Sequence, residues 1–201
     1  MVSYVSKGIA SVVVGLAAAL QLFELMDNSA PLLRPPGAGD EKTFLSKCIR
    51  CGKCALACPY EVIRLGGCDD GVNGGTPHLK PRAGACRLCN GFPCTTVCPT
   101  GALEPITNKH DVRMGLAIID RDLCVALKGI RCEVCYRVCP LIDEAITIKY
   151  ALREGDDRHA IFEPVINSDV CTGCGICEER CVIDSPAVAI RVKPQELWDR
   201  F

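Results

Sequence analysis

Residues 48–59 read Cys48-Ile49-Arg50-Cys51-Gly52-Lys53-Cys54-Ala55-Leu56-Ala57-Cys58-Pro59. The thiols fall in a C-x2-C-x2-C-x3-C-P pattern, and that spacing carries the reading of the whole chain. The first three cysteines lie on a loop short enough to wrap three corners of a cubic [4Fe-4S] cluster. Gly52 lets the backbone come close to the inorganic sulfurs. The fourth cysteine, turned away by its proline, serves a neighbouring cluster. One such run therefore requires a second.

Three more runs follow. Cys86, Cys89, Cys94 and Cys98, before Pro99, repeat the pattern with two extra residues. Cys124, Cys132, Cys135 and Cys139, before Pro140, repeat it with five. Cys171, Cys174, Cys177 and Cys181 return to the strict spacing, with Val182 in place of the proline. These sets use sixteen of the seventeen cysteines and leave Cys68 without a companion at ligand spacing, a plain free thiol. Disulfides fit poorly, because C-x2-C neighbours on tight loops make bad bridges and good metal ligands. Structural zinc also uses C-x2-C pairs, but it joins two pairs across a long spacer rather than packing four cysteines into one run. All sixteen cysteines are thus read as metal ligands of four [4Fe-4S] clusters.

A chain of 201 residues with 5% aromatics and the single Trp198 cannot build a large conventional core, so metal ligation must supply much of its folding energy. The formal charge of -1 counts neutral thiols. Each oxidised cube held by four thiolates adds about -2, so the loaded protein is considerably more acidic. Arg50, Lys53, Arg87, Lys128, Arg131 and Arg137 recur inside the runs, where they can offset cluster charge, dock an acidic partner or simply be solvated. No feature points to nucleic acid. No nucleophile, phosphate loop or paired carboxylate set forms a catalytic site, and His78, His110 and His159 are scattered as surface or loop residues.

From Gly8 to Phe23 no residue is charged. As a helix these sixteen positions span about 24 Å, against about 30 Å of hydrocarbon. That suits either a signal-like segment or a short membrane anchor extended by Val5 and a snorkelling Lys7. Lys7 before the segment, with Glu24 and Asp27 after it, puts the cysteine-rich part on the outer face. Folded metalloproteins cross by the twin-arginine route. No arginine pair precedes the apolar stretch, so the cytoplasmic side is the alternative. Asn28 to Asp40, with Pro31, Pro35, Pro36, Gly37 and Gly39, reads as an extended linker.

Thr100 to Leu103 reads as a short helix end, followed by a turn region and the apolar run Leu116 to Ile119. Ala145 to Ile148 and Phe162 to Ile166 are β-rich runs forming a hairpin around the polar stretch 153–159, and Ala187 to Val192 supplies a last strand. The fold class is α+β: tandem bacterial 2[4Fe-4S] ferredoxin-like units behind an N-terminal apolar helix. The expected domains are the signal-like or anchor helix at 1–27, the Pro/Gly-rich linker at 28–47 and the four-cluster region at 48–201.

The chain resembles the NapG/MauM-type polyferredoxins, accessory electron-transfer proteins of periplasmic nitrate reductase and methylamine-utilisation systems. The resemblance covers nearly everything from Leu33 onward. It is carried by Leu33-Arg34-Pro35-Pro36-Gly37-Ala38, the first cysteine run with Pro59-Tyr60, Gly75-Thr76-Pro77, Arg113-Met114-Gly115-Leu116-Ala117 and Arg131-Cys132-Glu133-Val134-Cys135-Tyr136-Arg137. Ile142-Asp143-Glu144-Ala145-Ile146-Thr147 and Cys171-Thr172-Gly173-Cys174-Gly175 complete it. It implies a membrane-associated electron carrier on the periplasmic side of the inner membrane. It also implies a NapH-like, quinol-oxidising membrane partner and, as acceptor, a periplasmic reductase or c-type cytochrome. Two other readings stand beside the carrier: a permanent electron-transfer subunit of a membrane oxidoreductase complex, and a metalloenzyme maturation factor.

Two pairings of the runs are open. Neighbours can pair, or runs 2 and 3 can form an inner unit, at about 76–150, inserted between the halves of an outer unit at 48–75 and 151–201. Run 2 resembles the second motif of the four-cluster subunits of molybdenum oxidoreductases, where nesting holds, and the Gly-rich link from run 1 to run 2 reads as a poor hairpin. The expectation is therefore nesting, which would give Cys181 to the cluster of Cys48, and Cys139 to that of Cys86.

Overall fold

A computed structural model describes residues 31–153 and 156–194. The apolar stretch Gly8–Phe23, its topology and Trp198 lie outside them. No helix among the described residues is long and apolar enough to cross a membrane.

The backbone follows one plan twice. In the first unit, α1 (Glu41–Lys47) leads into run 1 and α2 (Lys53–Leu56), then strand β1 (Ile63–Leu65). The chain returns through β2 (Pro77–Leu79) to run 2 and α3 (Pro93–Thr96). In the second unit, β3 (Gly115–Ile119) precedes run 3 and α4 (Val134–Arg137). The hairpin of β4 (Ile146–Arg153) and β5 (Asp156–Ile166) carries the chain to run 4 and α5 (Ile176–Arg180), and β6 (Ile190–Pro194) closes the unit. Each unit thus has an inner antiparallel hairpin between its cysteine runs: Ile63 faces Leu79 in the first, and Ile146 faces Ile166 in the second. Each also joins its ends outside the runs. In the second unit β3 pairs antiparallel with β6, Ile119 opposite Ile190. In the first the same closure shrinks to one bridge, Ala38 with Leu103, and a Glu104 N–H bond of 2.8 Å to the Gly37 carbonyl. Gly37 is required there: φ is +83°, and a Cβ would sit 2.3 Å from the Glu104 oxygen.

This topology overturns the nested arrangement. The link from run 1 to run 2 is a hairpin after all, because its glycines let a long loop fold tightly. The Gly75 N–H donates a 2.8 Å bond to the Gly66 carbonyl, and a Cβ on Gly66 would fall 2.2 Å from the Asn73 carbonyl oxygen. Cys68 opens the 3-10 segment inside that loop and is exposed. The expected helix end at Thr100–Leu103 is instead a bend leading to the bridge at Leu103.

The Pro/Gly-rich stretch is likewise no free tether from residue 33 on. Leu33, Arg34, Pro35 and Pro36 are buried in the first unit. The Arg34 guanidinium donates to the Thr76 hydroxyl (2.8 Å), the Pro77 carbonyl (2.9 Å) and the Asn73 side-chain oxygen (2.6 Å), and forms a two-bonded pair with the Glu41 carboxylate. It lies 4.8 Å from the Phe44 ring centroid, in cation–π contact. A planar, permanently charged donor is what lets one side chain tie the entering segment, α1 and β2 together. Beside it His78, read from the sequence as a surface or loop residue, is 3% exposed, with neither ring nitrogen hydrogen-bonded. Burial, then the charge of Lys80, hold its pKa below the ordinary 6.5 and keep the ring neutral.

Two apolar clusters fill the units. Phe44, Leu103, Val112 and Phe92 anchor the first, and Ala117, Leu141, Ala145 and Ile190 the second. Both include cysteines, so the metal sites are part of the cores. Arg34→Met keeps the bulk but strands Glu41 and Asn73, and should cost about 3 kcal/mol. Anaerobic thermal unfolding followed by visible absorbance should show a midpoint roughly 5–10 °C lower; an unchanged midpoint would mean that the buried network holds nothing together.

Candidate iron-sulfur centres

The sixteen predicted cysteines converge in four quartets, each made of three from one run and the last from the other run of the same unit. Cys48, Cys51 and Cys54 line a cavity with Cys98, and Cys86, Cys89 and Cys94 line one with Cys58. In the second unit Cys124, Cys132 and Cys135 stand with Cys181, and Cys171, Cys174 and Cys177 with Cys139. The nested expectation, with Cys181 beside Cys48 and Cys139 beside Cys86, is therefore wrong. The physical reason is that each inner hairpin folds its two runs back to back.

Local backbone conformation explains how each loop aims its thiols. Gly52 and Gly175, each between the second and third cysteine of a strict run, adopt φ of 73° and 84° at the N-caps of α2 and α5. That left-handed step turns the loop inward at little cost only for glycine. In run 2 the extra residues form a bulge. Gly91 takes φ +74° into open space and Phe92, at φ 41°, caps α3 and buries its ring to 3% exposure. In run 3 the insertion closes on itself through a 3.0 Å bond from the Ile130 N–H to the Val125 carbonyl, burying Ala126. Insertions therefore leave the thiol geometry intact.

The walls are apolar. Phe44, Ala102 and Leu103 back the first quartet; Val62, Ile63, Leu79 and Phe92 the second. Ile119, Ala126 and Ile190 back the third; Ala117, Leu141 and Ile166 the fourth. The four cavities, counted out to their mouths, are alike at about 350–400 Å³. Burial pushes the thiols of Cys86, Cys94 and Cys135 up to about 12, and those of Cys54 and Cys139 to about 11. Neighbouring cysteines add to the rise in each: Cys58 for Cys94, Cys124 for Cys135, Cys174 for Cys139. Such clustered thiols cannot all ionise unless positive charge enters among them, and the thiolate is the ligand form. Cys98 goes the other way. Burial alone would raise it, but the backbone N–H groups of Leu103, Thr100 and Ala102 and the Thr100 hydroxyl outweigh that and hold it below 9.0.

Tetrahedral zinc needs its sulfurs about 2.3 Å from a single point. Among the described residues no set of three or more Cys, His, Asp or Glu side chains closes on such a point. The thiols line a cavity instead, which suits a cube with iron and sulfide at alternate corners, one cysteine to each iron. Of the basic residues in the runs, Arg87 pairs with Glu179, Arg131 and Arg137 with Glu133, and Arg50 donates to the Val72 carbonyl. These four contact the protein's own groups, with Arg131 and Arg137 remaining exposed at the surface.

Residues 47–102 and 128–184 each match the family model of a 4Fe-4S dicluster domain. The chain is 45% identical over 179 residues to the ferredoxin-type protein NapG of Escherichia coli K12, covering 88% of this chain and 77% of that one. It is 43% identical over 171 residues to the methylamine utilization ferredoxin-type protein MauM of Methylobacillus flagellatus, covering 84% and 71%. The chain belongs to the NapG/MauM family of ferredoxin-type proteins. As in that family, it is an iron-sulfur electron-transfer protein and not an enzyme. Two dicluster domains account for four [4Fe-4S] clusters, and their boundaries follow the neighbour-paired units. The ferredoxin-type protein NapF of Escherichia coli K12 is more distant, at 29% identity over 153 residues covering 76% of this chain and 82% of that one.

Anaerobically purified protein should contain about sixteen iron atoms and as many acid-labile sulfides. Cys68→Ser should keep both numbers, since Cys68 lines none of the four cavities, while Cys51→Ser or Cys174→Ser should each lose up to about four irons. Equal loss in the Cys68 variant would make that thiol a ligand.

Proposed function

We propose that each of the four quartets holds one [4Fe-4S] cluster, and that the protein carries electrons from a NapH-like, quinol-oxidising membrane partner to a periplasmic reductase or c-type cytochrome. The ligands are Cys48, Cys51, Cys54 and Cys98; Cys86, Cys89, Cys94 and Cys58; Cys124, Cys132, Cys135 and Cys181; and Cys171, Cys174, Cys177 and Cys139. The observation that carries the proposal is the grouping of four thiols around each of four similar cavities, in a chain 45% identical to a NapG protein. The clusters, when bound, accept and release one electron at a time. The chain's own residues fix them, exclude water with apolar walls, and leave an approach at the rim. Cys51 is exposed, and Ile49 and Leu56 beside it are 63% and 88% exposed.

The N-terminal segment is an anchor in this reading, with residues beyond Leu33 in the periplasm. The support is the charge order, Lys7 before the apolar run and Glu24 and Asp27 after it. Protease added to intact spheroplasts should digest the cluster region, and a quinol added to membranes that retain the NapH-like partner should bleach its visible absorbance. Full protection until lysis would place the protein in the cytoplasm. Accessibility without bleaching would remove the quinol-oxidising donor.

A further inference from the structure

The two units touch at several points, Leu33 of the first lying against Gly115 of the second, and one contact joins two of the cysteine quartets directly. The Cys86 N–H donates a 3.0 Å hydrogen bond to the Cys174 carbonyl oxygen, so a residue of the second quartet is bonded directly to a residue of the fourth. Both are 8% exposed, and Cys174 and Ile176 pack into the apolar cluster of the first unit. Pro81 presses on Gly175, where a Cβ would come within 2.6 Å of the proline ring. Two arginines of the first unit then grip the end of α5. Arg82 Nη1 donates to the carbonyls of Glu178 (3.0 Å), Glu179 (3.1 Å) and Cys181 (2.9 Å). Arg87, next to Cys86, donates a 2.8 Å hydrogen bond from Nη2 to Glu179 Oε1, and its Nη1 lies 2.7 Å from Oε2 as an ion pair. A cation on the last carbonyls of a helix and a hydrogen-bonded arginine–carboxylate ion pair are both directional contacts, fit to fix an orientation as well as to bind.

Within each unit the quartets are also adjacent. α2 packs on α3 in the first, α4 on α5 in the second, and Cys135 lines both cavities of the second unit. We propose that the Cys86–Cys174 hydrogen bond is the crossing point for electrons between the two units, and that Arg82 and Arg87 are positioning residues that hold it closed. This rests on the proposed ligand assignment. The order is then linear: the Cys48/51/54/98 quartet, the Cys58/86/89/94 quartet, the Cys139/171/174/177 quartet and the Cys124/132/135/181 quartet. The first and last are the terminals. At the crossing one electron leaves the cluster on one side, which is oxidised by one, and reduces the cluster on the other by one; no bond is made or broken and no proton moves.

The test uses the full-length holoprotein, reduced with dithionite, and compares electron paramagnetic resonance spectra of wild type and Arg82→Ala/Arg87→Ala. Iron and sulfide content and hydrogen exchange across residues 85–88 are measured in parallel. The variant should keep its iron, exchange the Cys86 amide faster, and lose the part of the spin–spin splitting that exceeds two separate dicluster units. Glu179→Arg should show a partial loss, and adding Arg87→Glu should restore the splitting. Full iron with faster exchange and an unchanged spectrum would overturn the crossing point, and unchanged exchange would overturn the clasp. If the double variant sheds iron, the Glu179→Arg pair of variants decides by the same comparison. A wild type without clusters would instead sink the ligand assignment.

Discussion

The fold depends on an exchange. In each unit the last cysteine of one run is handed to the quartet of the other, so neither site is complete until both runs are in place. Chains of this size with few aromatics have little apolar surface to bury, and clusters that bind only the folded arrangement supply stability as binding energy. The exchange makes that supply cooperative. The inner hairpins and the outer closures, β3 with β6 and Ala38 with Leu103, serve to bring the two runs back to back.

Much of this was legible in the sequence because cluster ligation leaves a spacing. The cysteine positions, the bending away of the last thiol in each run and the hairpin after run 3 all follow from local pattern. Which runs pair does not. That depends on whether Gly66 to Gly75 can close a hairpin, and the decisive contacts, Gly66 against the Asn73 carbonyl and Gly75 to Gly66, connect residues whose type alone suggests a loose loop. The same limit hid the buried role of Arg34. In sequence it sits in a proline-rich stretch with the look of a tether, and only its partners at Glu41, Asn73 and Thr76 show that it belongs to the core. His78 was misread for a similar reason: its strand is three residues long and buried throughout, so no alternation betrays it.

The electrostatics follow from the same constraint. Each quartet includes at least one thiol that burial holds protonated on its own, and of the basic residues in the runs Arg87, Arg131 and Arg137 are paired with carboxylates. Arg87 shows what such a commitment achieves, since its partner Glu179 lies in the other unit. That pair ties the two halves of the protein to each other.

The central claim is that neighbouring runs exchange their last cysteines. Diffraction at the iron absorption edge from an anaerobically grown crystal tests it most directly. The account predicts four cubes, with Cys98 on the cluster of Cys48, Cys58 on that of Cys86, Cys181 on that of Cys124 and Cys139 on that of Cys171. A cube joining Cys181 to Cys48, or Cys139 to Cys86, would contradict it.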